Sequence, residues 1–213
     1  MYVPAHFDEP RIDVLHALIA EYPFGTLVTH GQGGLDANHL PFDLHADEGE
    51  FGVLHAHVAR ANLVWEELKN DDEVLVIFQA GDAYISPTWY PSKHESHRQV
   101  PTWNYRVVHA HGRVTIRDDE RYVRGVVARL TRRHEASLPE PWKMTDAPSD
   151  YIDMMLKAIV GVEIRITRLV GKTKLNQNKD VRDMRSAADA LHARGEHVIG
   201  DAVLAAALNK AEE

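Results

Sequence analysis

The chain has 213 residues, with 24 Lys+Arg against 32 Asp+Glu, a formal net charge of −8 and no cysteine. That composition allows one substantial domain and excludes disulfides, thiolate metal sites and a cysteine nucleophile. It also argues against a broad face for DNA, whose phosphates call for a concentrated excess of cations.

Residues 1–10 carry Asp8 and Glu9 without a basic start or an apolar run. No apolar stretch approaches the ~20 residues that a membrane span needs, so a cytoplasmic protein away from the membrane is expected. Asp8 can cap a helix that Pro10 opens, with Ile12, Leu15, Leu18 and Ile19 on one face and Tyr22-Pro23 at its end. A strand over Phe24–Thr29 then reverses at Gly31-Gln32-Gly33-Gly34 into a second over Leu35–Leu44. Pro41 interrupts that second strand and marks an edge or a bulge, because proline has no N–H for a ladder. The turn Asp47-Glu48-Gly49-Glu50 leads to a strand over Phe51–His57 and a short helix over Ala61–Leu68.

The β-branched run Val74–Gln79 is a strand, Gly81-Asp82 a turn, and Ala83–Ser86 a further strand. Pro87–Thr102 reads as a loop. A long strand over Val107–Ile116 precedes a helix that starts at Asp118-Asp119 and buries Val123, Val126, Val127 and Leu130. Pro139-Glu140-Pro141 breaks the chain before a helix from about Ser149 to Ala158 and a strand over Val160–Leu169. From Asp180 the tail favours helix, punctuated by Gly195 and Gly200. Roughly six or seven strands with short connections favour an antiparallel barrel over a parallel sheet.

Several patches carry candidate chemistry. His57 and Arg60 to Asn62 follow a strand and enter a helix, where backbone N–H groups, a guanidinium and an amide can cradle a phosphate; an ordinary strand-to-helix junction would also place them there. Asn38, His39, Leu40 and Pro41 lie on the neighbouring strand and could meet a planar ring, or simply form a distorted edge. Trp89, Tyr90, Trp103 and Tyr105 are concentrated in a proline-rich region, with Asn104 among them, and suit a planar-ligand pocket, a subunit contact or a hydrophobic plug over one barrel end. Lys174, Asn176, Gln177 and Asn178 lie in the run Lys172 to Lys179, whose three lysines can pair with a phosphate; a plain charged loop would give the lysines but rarely the Asn-Gln-Asn segment. His55/His57 and His109/His111 have the spacing that projects each pair to one face of a strand. No carboxylate at fixed spacing completes either pair, so no metal is expected.

These motifs, in this order, resemble the PaiB family of FMN-binding negative transcriptional regulators. The resemblance rests on Met1-Tyr2-Val3-Pro4-Ala5-His6-Phe7, His39-Leu40-Pro41-Phe42, His57 to Asn62, and Tyr84 to Tyr90. It continues through Val100 to Tyr105, His109 to Gly112 and Gly171 to Asn178. It implies a mainly β, α+β fold: an antiparallel split β-barrel like that of pyridoxamine-phosphate oxidases, over residues 1–180, with a C-terminal helical extension over 181–213. It also implies a homodimer with FMN at the subunit interface. Arg60 and Asn62 would then hold phosphate and Asn38 to Pro41 would contact the ring. Trp103, Asn104 and Lys174 to Asn178 would close the site, partly from the other subunit. A negative regulatory role follows, acting indirectly through a partner or a small molecule, or else through a narrow basic patch. A flavin- or haem-dependent oxidoreductase on the same barrel, and a ligand-free interaction module, are the alternatives.

Overall fold

The computed structural model describes residues 1–212. In chain order the strands are β1 (Asp8–Glu9), β2 (Phe24–Gly31), β3 (Gly34–Pro41), β4 (Asp43–His45), β5 (Val53–Ala59), β6 (Glu73–Ile85), β7 (Thr102–Arg117) and β8 (Ile159–Lys174). The helices are α1 (Ile12–Glu21), α2 (Val64–Glu67), α3 (Pro91–Ser96), α4 (Glu120–Glu135), α5 (Ser149–Lys157), α6 (Val181–Ala193) and α7 (His197–Glu212). The eight strands form one sheet in the order β3-β2-β6-β7-β8-β5-β4, with β1 paired to the end of β8. The pairs β1–β8, β2–β3, β2–β6, β4–β5 and β5–β8 are antiparallel. Among the described residues no helix is long and apolar enough to cross a membrane.

Three strands are longer than the sequence pattern suggests. Gly81-Asp82 does not end a strand: β6 runs on to Ile85, and the buried positions change parity there, from Val74, Val76, Phe78 and Ala80 to Ala83 and Ile85. Gly81 has φ +75°, and the Gln79 amide reaches across to Asp82 at 2.7 Å, so the glycine absorbs one extra residue as a bulge. β7 starts at Thr102, inside the expected loop, and β8 continues to Lys174. Near the N-terminus Asp8 caps nothing. Asp8-Glu9 pairs with Lys172-Gly171, α1 begins at Ile12, and Ile12 itself is exposed. Gly200 lies within α7 rather than dividing it; the break between α6 and α7 falls at Arg194-Gly195-Glu196.

The chain divides into two compact units, and it passes between them within β6, β7 and β8. One comprises residues 12–78 and 109–169. Here α4 is capped by the Asp119 carboxylate, which accepts from Tyr122 N at 2.8 Å. Its stripe Val123 packs with Ile152 and Leu156 of α5. Gly112 is required by close approach: a Cβ there would lie 2.5 Å from Ile164 Cγ2 and 2.7 Å from Arg165 O. The other unit comprises 1–11, 79–108 and the residues from 170 onward. Its core gathers Ile85, Tyr90, Leu175, Met184, Leu191, Ile199 and Val203, so α6 and α7 share one apolar interior with the end of β6.

Candidate functional site

The candidate residues fall into two groups, one in each unit. In the first unit β3 ends the strand path, as Pro41 implied, and its residues pair with β2 as Leu27↔Asn38, Thr26↔His39, Gly25↔Leu40 and Phe24↔Pro41. His39 is exposed and stacks on Phe24 at 6.4 Å, while Leu40 is buried. Asn62 follows β5 and donates through Nδ2 to Asn38 Oδ1 at 2.6 Å, while its own Oδ1 accepts from Val64 N at 3.0 Å. Asn38 in turn donates to Asp36 at 2.9 Å. The two amides therefore tie β3 to the junction after β5 and open α2. They join β3, one end of the strand path, to the junction after β5, the last strand but one at its other end, as closing a sheet into a barrel requires.

Arg60 is drawn into an internal pair. Its Nη1 and Nη2 donate to Asp118 at 3.0 and 2.5 Å, and its Nε donates to Lys157 O at 2.8 Å. The hydrogen bond with Asp118 raises the guanidinium's pKa and lowers the carboxyl's. A cavity of about 170 Å³ beside it is lined by Asp118, Asp119 and Glu120 as well as by Arg60. Its carboxylates outnumber its cations, so the cavity disfavours a phosphate. His57 is half-buried and its Nδ1 has no partner. Burial holds both His57 and His55 below the ordinary histidine pKa, in the neutral form. The other expected pair is spoken for: the His111 ring nitrogen Nε2 accepts from Arg168 at 3.0 Å.

The second unit holds Trp103, Asn104 and the Lys174 to Asn178 run. Trp103 is exposed and meets Tyr84 edge-to-face at 5.9 Å. Next to it Asn104 has no exposure at all, and neither its Oδ1 nor its Nδ2 has a hydrogen-bond partner. Asn176 is also buried, with φ +65°. Its Oδ1 accepts from the Tyr90 hydroxyl at 3.2 Å and its Nδ2 is unmet. Burial pushes the Tyr90 phenol up to about 12, so it stays a donor. Gln177 braces its own segment, accepting from Leu175 N at 2.7 Å and donating to Thr173 O at 2.6 Å. Asn178 is exposed.

Three lysines border this segment. Lys174 donates to Thr102 Oγ1 at 2.5 Å, Lys172 to Tyr2 O at 3.1 Å and Lys179 to Gln99 Oε1 at 2.5 Å. Rings of Phe7, Tyr105 and Tyr90 lie 5.3–5.9 Å from the three ammonium groups. All these partners are neutral; no carboxylate balances the three charges among the described residues. Burial lowers the pKa of Lys174, as expected for a cation without a counter-ion. The sequence already offers the three lysines of the 172–179 run as partners for a phosphate. Their significance depends on what does not pair with them, which composition cannot reveal.

A family model described as "Putative FMN-binding domain" matches residues 1–168. The Protease synthase and sporulation protein PAI 2 of Bacillus subtilis is 29% identical over 191 residues, 90% of this chain and 89% of its own. An uncharacterized protein of Emericella nidulans is 32% identical over 212 residues, covering 83% of this chain and 84% of its own. Among solved structures, the flavocytochrome Anf3 of Azotobacter vinelandii matches with a TM-score of 0.56 at 12% identity, over 81% of this chain and 72% of its own. The FAD and heme binding protein of Mycobacterium smegmatis matches with a TM-score of 0.55 at 15% identity, over 78% and 73%. At such identities these structures speak for the fold alone, the antiparallel split barrel expected from the sequence.

Proposed function

The chain belongs to the family described as "Putative FMN-binding domain", and from that premise we propose that it binds FMN as a cytoplasmic homodimer with a negative regulatory role. The observation that carries this reading is the Asn104 side chain, wholly buried with donor and acceptor both unmet. An unpaired buried polar group costs about 1–3 kcal/mol, so such a carboxamide is a standing defect unless a ligand satisfies it. The imide edge of a flavin carries an N–H flanked by two carbonyls, the complement of a carboxamide. The unmet Nδ2 of Asn176 offers a further donor to a carbonyl. The residues present therefore fit the group, and once bound it would supply reversible redox chemistry.

We assign the phosphate to the lysines around residues 172–179 in preference to Arg60. A phosphate on Arg60 would have to displace Asp118 and enter an acidic cavity. Among the described residues the lysines have no carboxylate partner, and they would gain one charge-assisted bond each. Asn38, Asn62 and the strand residues His39 to Pro41 then serve the barrel's closure and its edge. Exposed Phe24, Leu35 and Leu63 in one unit, and Val100 and Trp103 in the other, supply apolar surface for a second copy. The division into a barrel to residue 180 and a helical extension belongs to the same proposal. Regulation would act through the ligand or a partner protein, in keeping with the net charge of −8.

Comparing FMN with riboflavin isolates phosphate recognition. FMN is expected to bind more tightly, and Lys174→Ala should weaken FMN about tenfold while leaving riboflavin unchanged. Quenching of flavin fluorescence reports both titrations. Equal losses for the two ligands would place Lys174 away from the phosphate.

A further inference from the structure

The β4–β5 hairpin and its turn hold a constellation that lies outside the flavin reading and does not depend on it. In the antiparallel register Asp43 faces His55 and His45 faces Val53, so Asp43, His45 and His55 share one face of the hairpin. Glu48 comes from the turn between the strands. One ligand atom from each of His45, Glu48 and His55 lies within 4.8 Å of the others.

The hydrogen-bond network decides which atoms are available. The Tyr122 hydroxyl lies 3.2 Å from Val162 O and 2.8 Å from His55 Nδ1; when its proton goes to the carbonyl, it accepts from His55 Nδ1–H. In that tautomer His55 presents the lone pair of Nε2. That nitrogen is buried, in a side chain 7% exposed, and has no hydrogen-bond partner; the group it faces is Glu48 Oε2, 3.8 Å away. In that tautomer two acceptors oppose one another across a gap that a cation would fill. His45 is oriented in the same manner. Its Nε2 is held by Asp43 at 3.0 Å, which Arg129 balances at 2.7 Å, and its Nδ1 points to Glu48 Oε1 at 2.7 Å. Each imidazole thus has one nitrogen fixed by a neighbour and the other turned towards the same carboxylate, the arrangement that metal-ligating histidines adopt.

We propose that His45 Nδ1, Glu48 and His55 Nε2 bind a divalent cation of the zinc class, with a water molecule as the fourth ligand. Two imidazoles and one carboxylate suit zinc better than calcium or magnesium, which favour all-oxygen shells. The ligand atoms lie within 4.8 Å of one another, against roughly 3.3 Å between ligands of a tetrahedral zinc ion, and Glu48 sits 2.7 and 3.8 Å from the two imidazoles. Its side chain is half exposed and also leaves an entry path. A purely internal cluster, with an imidazolium at His45 between Asp43 and Glu48, would account for those two carboxylates. It would leave His55 Nε2 unmet.

The test is calorimetric titration of chelator-treated full-length protein with zinc, and cobalt as a visible probe. Expected are one ion per chain, tetrahedral ligand-field absorption with cobalt, and a zinc-dependent rise in melting temperature. Glu48→Gln should weaken zinc at least tenfold and abolish its effect on melting, His55→Ala should abolish stoichiometric binding, and Tyr122→Phe should weaken it about tenfold by freeing the His55 tautomer. His134→Ala, at an exposed histidine elsewhere, should change nothing. If His55→Ala does not fold, Glu48→Gln decides, since its side chain lies in an exposed turn. No stoichiometric uptake, or equal affinities for wild type, Glu48→Gln and His134→Ala, would overturn the proposal.

Discussion

Leu191→Ala is expected to lower the free energy of unfolding by about 2–5 kcal/mol, the range for removing a leucine from a packed core. Leu191 has no exposure and sits on α6 among Met184, Ile199 and Val203, with Ile85, Tyr90 and Leu175 in the same cluster. The residues on the α7 side and those from β6 are therefore both left with a void that rigid neighbours cannot fill. For a chain of this size each kcal/mol corresponds to about 2–4 °C in melting temperature, so a drop of roughly 4–20 °C should appear in a thermal melt. Leu208→Ala, on the exposed side of α7, should change stability by no more than about 0.5 kcal/mol. If the two variants behaved alike, α6 and α7 would be an appendage with no shared interior.

Asn104→Leu is expected to move binding and stability in opposite directions. Leucine has nearly the same branched outline but no polar atoms, so the ligand-free chain loses a buried donor and acceptor that nothing satisfies. Its stability should rise by about 1 kcal/mol. FMN affinity should fall by about 2–3 kcal/mol, or roughly 30- to 150-fold, because two hydrogen bonds to the flavin edge are forfeited. A residue kept for packing would show the reverse, with stability lost and affinity unchanged. Chemical denaturation of the free protein and fluorescence titration with FMN measure the two halves separately. Unchanged affinity would remove Asn104 from the site.

Much of the fold was legible because burial repeats locally. The stripe Val123, Val126 and Leu130 of α4, the strands β2 and β5, and the edge character of β3 at Pro41 follow from spacing and from proline's missing donor. The long strands were not, because glycine in a turn and glycine in a bulge look alike in sequence. Gly81 becomes a bulge through a register that β6 alone does not encode.

How the candidate residues are partnered was only partly legible, for a related reason. Asn38, Arg60 and Asn62 do gather on neighbouring elements, but Arg60 meets Asp118, 58 positions further along. No periodicity of two or four can anticipate such a pair. His55 was matched with His57 by strand spacing, whereas its partners are His45 across the hairpin and Glu48 in the turn. The hairpin's register, not the interval along one strand, sets that face. Asn104 was singled out as an amide among aromatics, and only the three-dimensional structure shows that both its polar atoms are unmet.

The most direct measurement is the visible absorption spectrum of the full-length protein after incubation with excess FMN and desalting. Co-elution of flavin bands with the chain, at one FMN per subunit, is the predicted result. A protein that emerges colourless, and leaves FMN fluorescence unquenched across the titration, would contradict it.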